Sequence, residues 1–282
     1  MSSGTLRIPG LEGLDLDAYL ARVGFQGARA PTLATLAELQ RRHVGKIAFE
    51  NLSSLAGLPV PLDLGSLQAK LVQGRRGGYC FEQNLLFAAV LQRLGFAVTG
   101  LAARVVWNAP PGATNPRSHM LLRVALPEGP YITDVGFGGA SLPGPLALVA
   151  DVEQATPIEP YRLVVVEDGF RLEVRLGEEW KPVYVFDPQP QQVPDYEAAN
   201  WYVATHPASR FVQCLMAARP SGTRRQTLLD GEFSLRELDG TLERRRLASA
   251  AELRAVLTRV FGIDVPADAR VDAALERVVA RR

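Results

Sequence analysis

In RGGYCFEQNLLFAAVLQRLG, Arg76 to Gly95, a glycine pair precedes one of only two cysteines in the 282-residue chain, and a long apolar run follows. The run from Phe81 to Leu94 is too long for an ordinary strand and is apolar nearly all round. It therefore predicts a helix buried on every side, closed by Gly95. Cys80 stands at or beside its first turn. Gly77 and Gly78 are expected to let the backbone turn tightly into it. A free thiol titrates at roughly 8.5 and is a poor nucleophile until deprotonated. A helix N-terminus, a nearby cation and a paired imidazole each promote the thiolate. The same N–H groups suit the oxyanion of a tetrahedral intermediate. The competing reading is a small buried hydrophobe.

Working outward, residues 1–96 read as helical. Leu16, Tyr19, Leu20 and Val23 keep helix spacing up to Gly24. Leu33, Leu36, Leu39 and His43 form a stripe after a Thr32 cap. From Ala97 the pattern changes to short strands: Leu101–Trp107, His119–Leu126, Tyr131–Phe137, Tyr161–Glu167, Phe170–Leu176 and Trp180–Phe186. The Pro/Gly/Asn loop 108–118 interrupts them. Tight turns between many short strands predict a closed or nearly closed antiparallel sheet. Beyond about residue 195, Tyr196–Thr205 and Ser209–Ala218 read as helices. Thr227–Ala248 reads as two or three strands split at Asp230-Gly231 and Asp239-Gly240. Ser249 to Glu252 is a capping box before another helix, and 267–282 a last one. The expected fold class is α+β with several domains: a helical bundle (1–96), an antiparallel β-barrel (97–204) and an α/β lid (205–282).

Composition narrows the function classes. Apolar residues at 47% and charged residues at 22% support a sizeable core, and a net charge of +1 gives no whole-chain field for nucleic acid or an anionic membrane. Arg244–Arg246 and the pair Arg224/Arg225 read as solvated strand faces. The most apolar window, 85–106, contains Gln92, Arg93, Gly95 and Arg104, which argues against a membrane span. MSSGTLRIPG has no basic or apolar leader pattern, and two distant cysteines make neither a disulfide framework nor a metal site; cytoplasmic localisation is expected. Oligomeric state is not legible.

Three histidines are available as the thiol's partner. His43 lies on an apolar stripe and suits a packing or hydrogen-bonding role, and His206 sits in a Thr-His-Pro break. His119 opens a strand after the loop, fixed by the sheet yet at its edge, where a base would work. Asp134, flanked by Ile132, Val135 and Phe137, needs a partner. A hairpin turning at Glu128-Gly129 would place His119 and Asp134 on one face but four positions apart, with Asp134 opposite Arg123. A pairing of Asp134 with Arg123 is the alternative. Arg75 and Arg76 could supply positive charge beside the thiol, or Arg76 could hold Glu82; the structural role is the expectation for both Arg76 and Glu82.

RGGYCFEQN resembles the active-site cysteine motif of arylamine N-acetyltransferases. RRHVGKIAFENL (Arg41–Leu52) resembles that family's N-terminal signature, with Ala48 where proline usually stands. SHM (Ser118–Met120), DVGFGG (Asp134–Gly139) and THPASRF (Thr205–Phe211) follow in the family's order. The resemblance implies a cysteine-protease-like core in which Cys80, His119 and Asp134 are the triad. It implies acetyl-CoA as acyl-donor substrate, no permanently bound cofactor and no metal, and an aromatic amine or hydrazine as acceptor. By the same resemblance Phe49, Phe137 and Phe211 would line the acceptor pocket. The chain has no Walker-type loop, and backbone N–H groups near Gly136, Gly138 and Gly139 are expected to meet CoA phosphates instead. Amide synthases that close macrolactams share this triad, and thiol hydrolases and transglutaminases share its chemistry; both stay open as alternatives.

Overall fold

A computed structural model describes residues 4–110 and 112–281. The first three residues of the leader reading, Pro111 of the 108–118 loop and Arg282 at the end of the last expected helix lie outside the described residues. The first part of the chain carries α1 (Leu16–Val23), α2 (Leu33–Lys46), the short strand β1 (Phe49–Glu50), the single turns α3 (Leu52–Leu55) and α4 (Leu64–Leu67), a π-helical turn (Gln68–Gln73) and α5 (Cys80–Arg93). As expected, Thr32 caps α2 and Gly24 takes a left-handed φ of 71° where α1 stops; Asp15 caps the start of α1. Every side chain of α5 from Cys80 to Leu91 is buried. Each of Leu85, Leu86 and Phe87 thereby contributes about 1.5–3 kcal/mol. That packing makes the helix a rigid mount for the thiol at its first position.

Seven strands form the central sheet in the order β5-β4-β3-β2-β8-β7-β6. They are β2 (Ala97–Val105), β3 (His119–Leu126), β4 (Gly129–Thr133), β5 (Leu146–Ala147), β6 (Tyr161–Val166), β7 (Gly169–Leu176) and β8 (Glu179–Phe186). The sheet curls until the segment after β5 meets β6, through bridges from Ala150 to Leu163 and from Gln154 to Tyr161. Leu101, Leu121, Leu163, Leu172 and Val183 fill the interior. The nearly closed barrel thus matches the strand pattern.

The remaining elements are α6 (Val193–Thr205), α7 (Arg210–Gln213), β9 (Met216–Ser221), β10 (Arg224–Leu229), β11 (Glu232–Arg236), β12 (Leu242–Arg246), α8 (Ala250–Arg259) and α9 (Ala269–Ala280). The second sheet runs β1-β9-β10-β11-β12, so its first strand comes from the helical part of the chain. Among the described residues no helix is long and apolar enough to cross a membrane.

Four local expectations are corrected. Ser209–Ala218 is not one helix: a single turn gives way to β9, because Ala217 and Ala218 pair with β1 on one side and β10 on the other. The strand expected over Tyr131–Phe137 ends at Thr133. Arg224 and Arg225 are not both solvated. Strand alternation exposes Arg224 and buries Arg225 at 3% exposure against Glu159. Finally, Gly77 and Gly78 do not adopt a left-handed turn. Their need is close approach: a Cβ on Gly77 would stand 2.1 Å from the Ala48 carbonyl oxygen, and one on Gly78 would stand 2.7 Å from Glu82 Oε2.

Candidate active site

Three elements converge where α5 begins: the first residue of α5, the first residue of β3, and the chain just past β4. The β3–β4 register pairs Leu122 with Thr133 and Leu126 with Gly129. This is two residues tighter than a turn centred on Glu128-Gly129, and it preserves the shared face. Because β4 stops at Thr133, Asp134 leaves the ladder and swings toward His119. His119 Nε2 and Asp134 Oδ2 are 2.7 Å apart, with both side chains almost wholly buried. Arg123 instead donates to Thr99 Oγ1 at 3.3 Å, which removes the Asp134–Arg123 pairing.

The carboxylate has further partners. Asn84, one turn along α5 from Cys80, donates from Nδ2 to Asp134 Oδ1 at 3.0 Å and to the Met120 carbonyl at 2.8 Å, and its Oδ1 accepts from the Val135 N–H at 3.0 Å. The Gly136 N–H adds a bond to Asp134 Oδ1 at 2.9 Å. Burial pushes the carboxyl up, but the His119 charge and these donors bring it below the usual carboxylate range. For His119, burial opposes the charged ring. The Asp134 charge, its hydrogen bond and the neighbouring Cys80 thiol more than offset that, raising the imidazole to about 10. With Nε2 turned to Asp134, Nδ1 is the ring atom left for the thiol. The Cys80 thiol lies 3.7 Å from the carbonyl oxygen of Ser118, the residue before His119.

The start of α5 is braced by charge. Glu82 accepts from the Tyr79 N–H at 3.1 Å and from Lys70 Nζ at 2.6 Å. Arg76 does not hold Glu82; it donates from Nε to Glu50 at 2.7 Å, and the other Glu50 oxygen accepts from the Leu52 N–H at 2.7 Å. Both residues are structural, through other partners than expected. His43 is wholly buried between the Tyr19 hydroxyl (2.8 Å) and Gln83 (3.1 Å), the hydrogen-bonding role its stripe predicts, and burial lowers it to about 3. His206 ends α6, its Nδ1 accepting from the Ala208 N–H.

The three phenylalanines fall into two groups. Phe137 packs edge-on against His119 at 5.2 Å between ring centroids and lies 5.5 Å from Tyr184. Phe49 and Phe211 meet at 6.1 Å, and Phe211 lies 5.1 Å from Tyr79, the residue before Cys80. Of the three glycines, Gly136 and Gly138 already spend their N–H groups inside the protein, on Asp134 and on Ser141 Oγ. Their use is proximity. A Cβ on Gly136 would lie 2.6 Å from Cys80 Cα, and one on Gly138 would lie 3.2 Å from the Phe49 ring.

Sequence reasoning passed over several residues around this site. Asn84 lay inside the quoted motif without a visible partner. Asn51, in the FENL stretch, donates to the Phe211 and Cys214 carbonyls and accepts from the Met216 N–H, tying β1 to the segment that carries Phe211. Tyr184 comes from β8, far along the chain, with its ring 5.0 Å from His119. Its buried hydroxyl forms no well-made hydrogen bond and is kept protonated by burial and then by the Asp134 charge.

The class is that of an N-acetyltransferase: a family model of that description matches residues 32–270. The arylamine N-acetyltransferase of Mycobacterium tuberculosis is 44% identical over 256 residues, covering 89% of this chain and 90% of that protein. The Escherichia coli arylamine N-acetyltransferase is 42% identical over 252 residues, 89% of each. The Mycobacterium marinum arylamine N-acetyltransferase solved in complex with CoA superposes with a TM-score of 0.90 at 41% identity, covering 94% of this chain and 99% of that one. The chain belongs to the arylamine N-acetyltransferase family. Its fold is the helical, barrel-containing fold of those enzymes.

Proposed function

We propose that this enzyme transfers an acetyl group from acetyl-CoA to the nitrogen of an arylamine or arylhydrazine through an acetyl-cysteine. The observation that carries the reading is the 2.7 Å bond between His119 and Asp134 at the first residue of a buried helix bearing Cys80. Cys80 gives its proton to His119 Nδ1, and the thiolate attacks the thioester carbonyl carbon. N–H groups at the start of α5 stabilise the oxyanion. The tetrahedral intermediate collapses, CoA leaves with the proton from His119, and the acetyl group stays on Sγ. The amine nitrogen then attacks that second thioester while His119, now neutral, takes the nitrogen's proton, and the Cys80 thiolate departs. Asp134 holds the ring with Nε2–H directed at itself and stabilises the imidazolium.

Phe137, beside His119, and the Phe49–Phe211 pair, beside Tyr79, would line the flat apolar site of the acceptor ring. The domain limits 1–96, 97–204 and 205–282 are kept as part of this proposal, with the thiol on the first unit and the imidazole and carboxylate on the second.

Intact mass after mixing with acetyl-CoA tests the scheme. One acetyl adduct on Cys80, cleared on adding an arylamine, is expected, and folded Cys80→Ala should form none and turn nothing over. Wild-type turnover in Cys80→Ala would sink the mechanism. CoA released equally fast without amine would make the enzyme a thioesterase. Failure of simple arylamines and hydrazines alike would favour an amide synthase.

A further inference from the structure

Outside the thiol site, the C-terminal end of α2 and the β9–β10 hairpin enclose a cleft of about 240 Å³ lined by Arg41, Arg42, Gly45, Lys46, Arg219 and the turn at Pro220–Gly222. Four cations face this space and one carboxylate answers them: Glu38 binds both Arg41, at 2.8 Å, and Arg42, at 2.5 Å. Lys46 and Arg219 form no ion pair among the described residues. Lys46, in the last turn of α2, complements the helix dipole, and Arg41 and Arg42 are held by Glu38, which accounts for all three without a ligand. Arg219 has no such reason, since it comes from β9. Its Nη2 donates to the Val260 carbonyl, while its Nε is buried with no partner at all. A buried guanidinium N–H left unpaired costs stability, so Arg219 keeps its charge beside the cleft against that cost.

We propose that this cleft is an anion site that binds a phosphate or pyrophosphate group. Guanidinium and ammonium groups match phosphate oxygens, and four cations answered by one carboxylate leave an excess of positive charge that suits a dianion. Gly45 and Gly222 keep the floor open: a Cβ on either would meet nothing within 4 Å. Two sources carry this chemistry, the phosphates of the acyl donor and free phosphorylated compounds.

The test is calorimetric titration of the full-length protein with inorganic pyrophosphate at low ionic strength, where screening is weak. Wild type should bind at one site. Arg219→Gln, Lys46→Gln and Gly45→Glu should each weaken binding about tenfold, the last by placing a carboxylate in open space on a helix that tolerates it. Circular dichroism and the melting temperature check that each variant is folded. Kinetics with acetyl-CoA and with acetyl-pantetheine, which lacks the nucleotide, separate the sources. A raised KM for acetyl-CoA alone, at unchanged kcat, assigns the site to the donor. Unchanged KM for both, with pyrophosphate binding lost, assigns it to a free phosphate compound. No measurable pyrophosphate binding by wild type, or equal binding by all three folded variants, overturns the site whatever becomes of the acyl-transfer reading.

Discussion

Replacing Asp134 with asparagine keeps the volume and most of the hydrogen bonds but removes the charge and reverses one donor. Asparagine can still accept from Gly136 and Asn84 through its oxygen. Its NH2 then faces His119 Nε2, so the ring must turn its lone pair there and carry its proton on Nδ1, toward the thiol. In that tautomer the imidazole cannot take the proton of Cys80. The electrostatic loss is also large. The gap between an ordinary imidazole at 6.5 and His119 at about 10 corresponds to roughly 5 kcal/mol favouring the charged ring. With Asp134 neutral, burial lowers the ring and only the Cys80 thiol still raises it, so the ring titrates well below 10. We expect kcat/KM for acetyl-CoA to fall by about 10³–10⁴, with a stability loss of about 1–3 kcal/mol. Three measurements check this: single-turnover acetylation read by mass, the pH dependence of iodoacetamide inactivation, and NMR titration of His119. A folded Asp134→Asn protein acetylating within tenfold of wild type, with His119 still titrating near 10, would refute the tautomer argument.

Stability should depend on pH from both sides. His119 is raised in the folded state, so its contribution is complete below pH 6.5 and is lost as pH rises toward 10. His43 is lowered to about 3, so its contribution is complete above 6.5 and is lost as pH falls toward 3. Urea unfolding across pH 4 to 10 should therefore show a maximum near 6.5. The alkaline fall should flatten in Asp134→Asn and the acid fall in His43→Gln; unchanged limbs in both variants would contradict the assignment. Gly136→Ala forces a Cβ to within 2.6 Å of Cys80 Cα, and should cost about 1–3 kcal/mol and most of the acetylation rate. Turnover and melting temperature both equal to wild type would show that the loop yields without cost. Arg225→Met breaks the buried pair with Glu159, 2.6 Å apart, and removes bonds to the Ser141 carbonyl and the Tyr161 hydroxyl. A loss of about 3–5 kcal/mol in denaturant unfolding is expected, and a loss under 1 kcal/mol would mean that Glu159 is satisfied by Arg236 alone.

Local chemistry wrote much of this molecule directly into the chain. Asp15, Thr32, Gly24, Ser249 and the apolar circumference of α5 declare helices through caps and periodicity, which depend on neighbours within a turn or two. The Asp-Gly turns mark hairpins for the same reason. The sequence by itself also ranked His119 above His43 and His206 and placed Asp134 on the right face, because side-chain parity in a hairpin survives a shift of two residues. Tertiary structure decided what depends on distance in space. Where the hairpin turns and where β4 ends together decide whether Asp134 reaches His119 or stands some positions away along the strand, and strand periodicity carries no stop signal at Thr133. Ala217 and Ala218 become strand only because β1 and β10 flank them. Arg225 leaves water because Glu159, sixty-six residues earlier, meets it inside the protein. Gly77 reads in the sequence as a turn residue and Gly136 as a contact for CoA phosphates, yet both are needed where two backbones pass within contact distance. That distance exists only after the helices, the barrel and the second sheet have packed together.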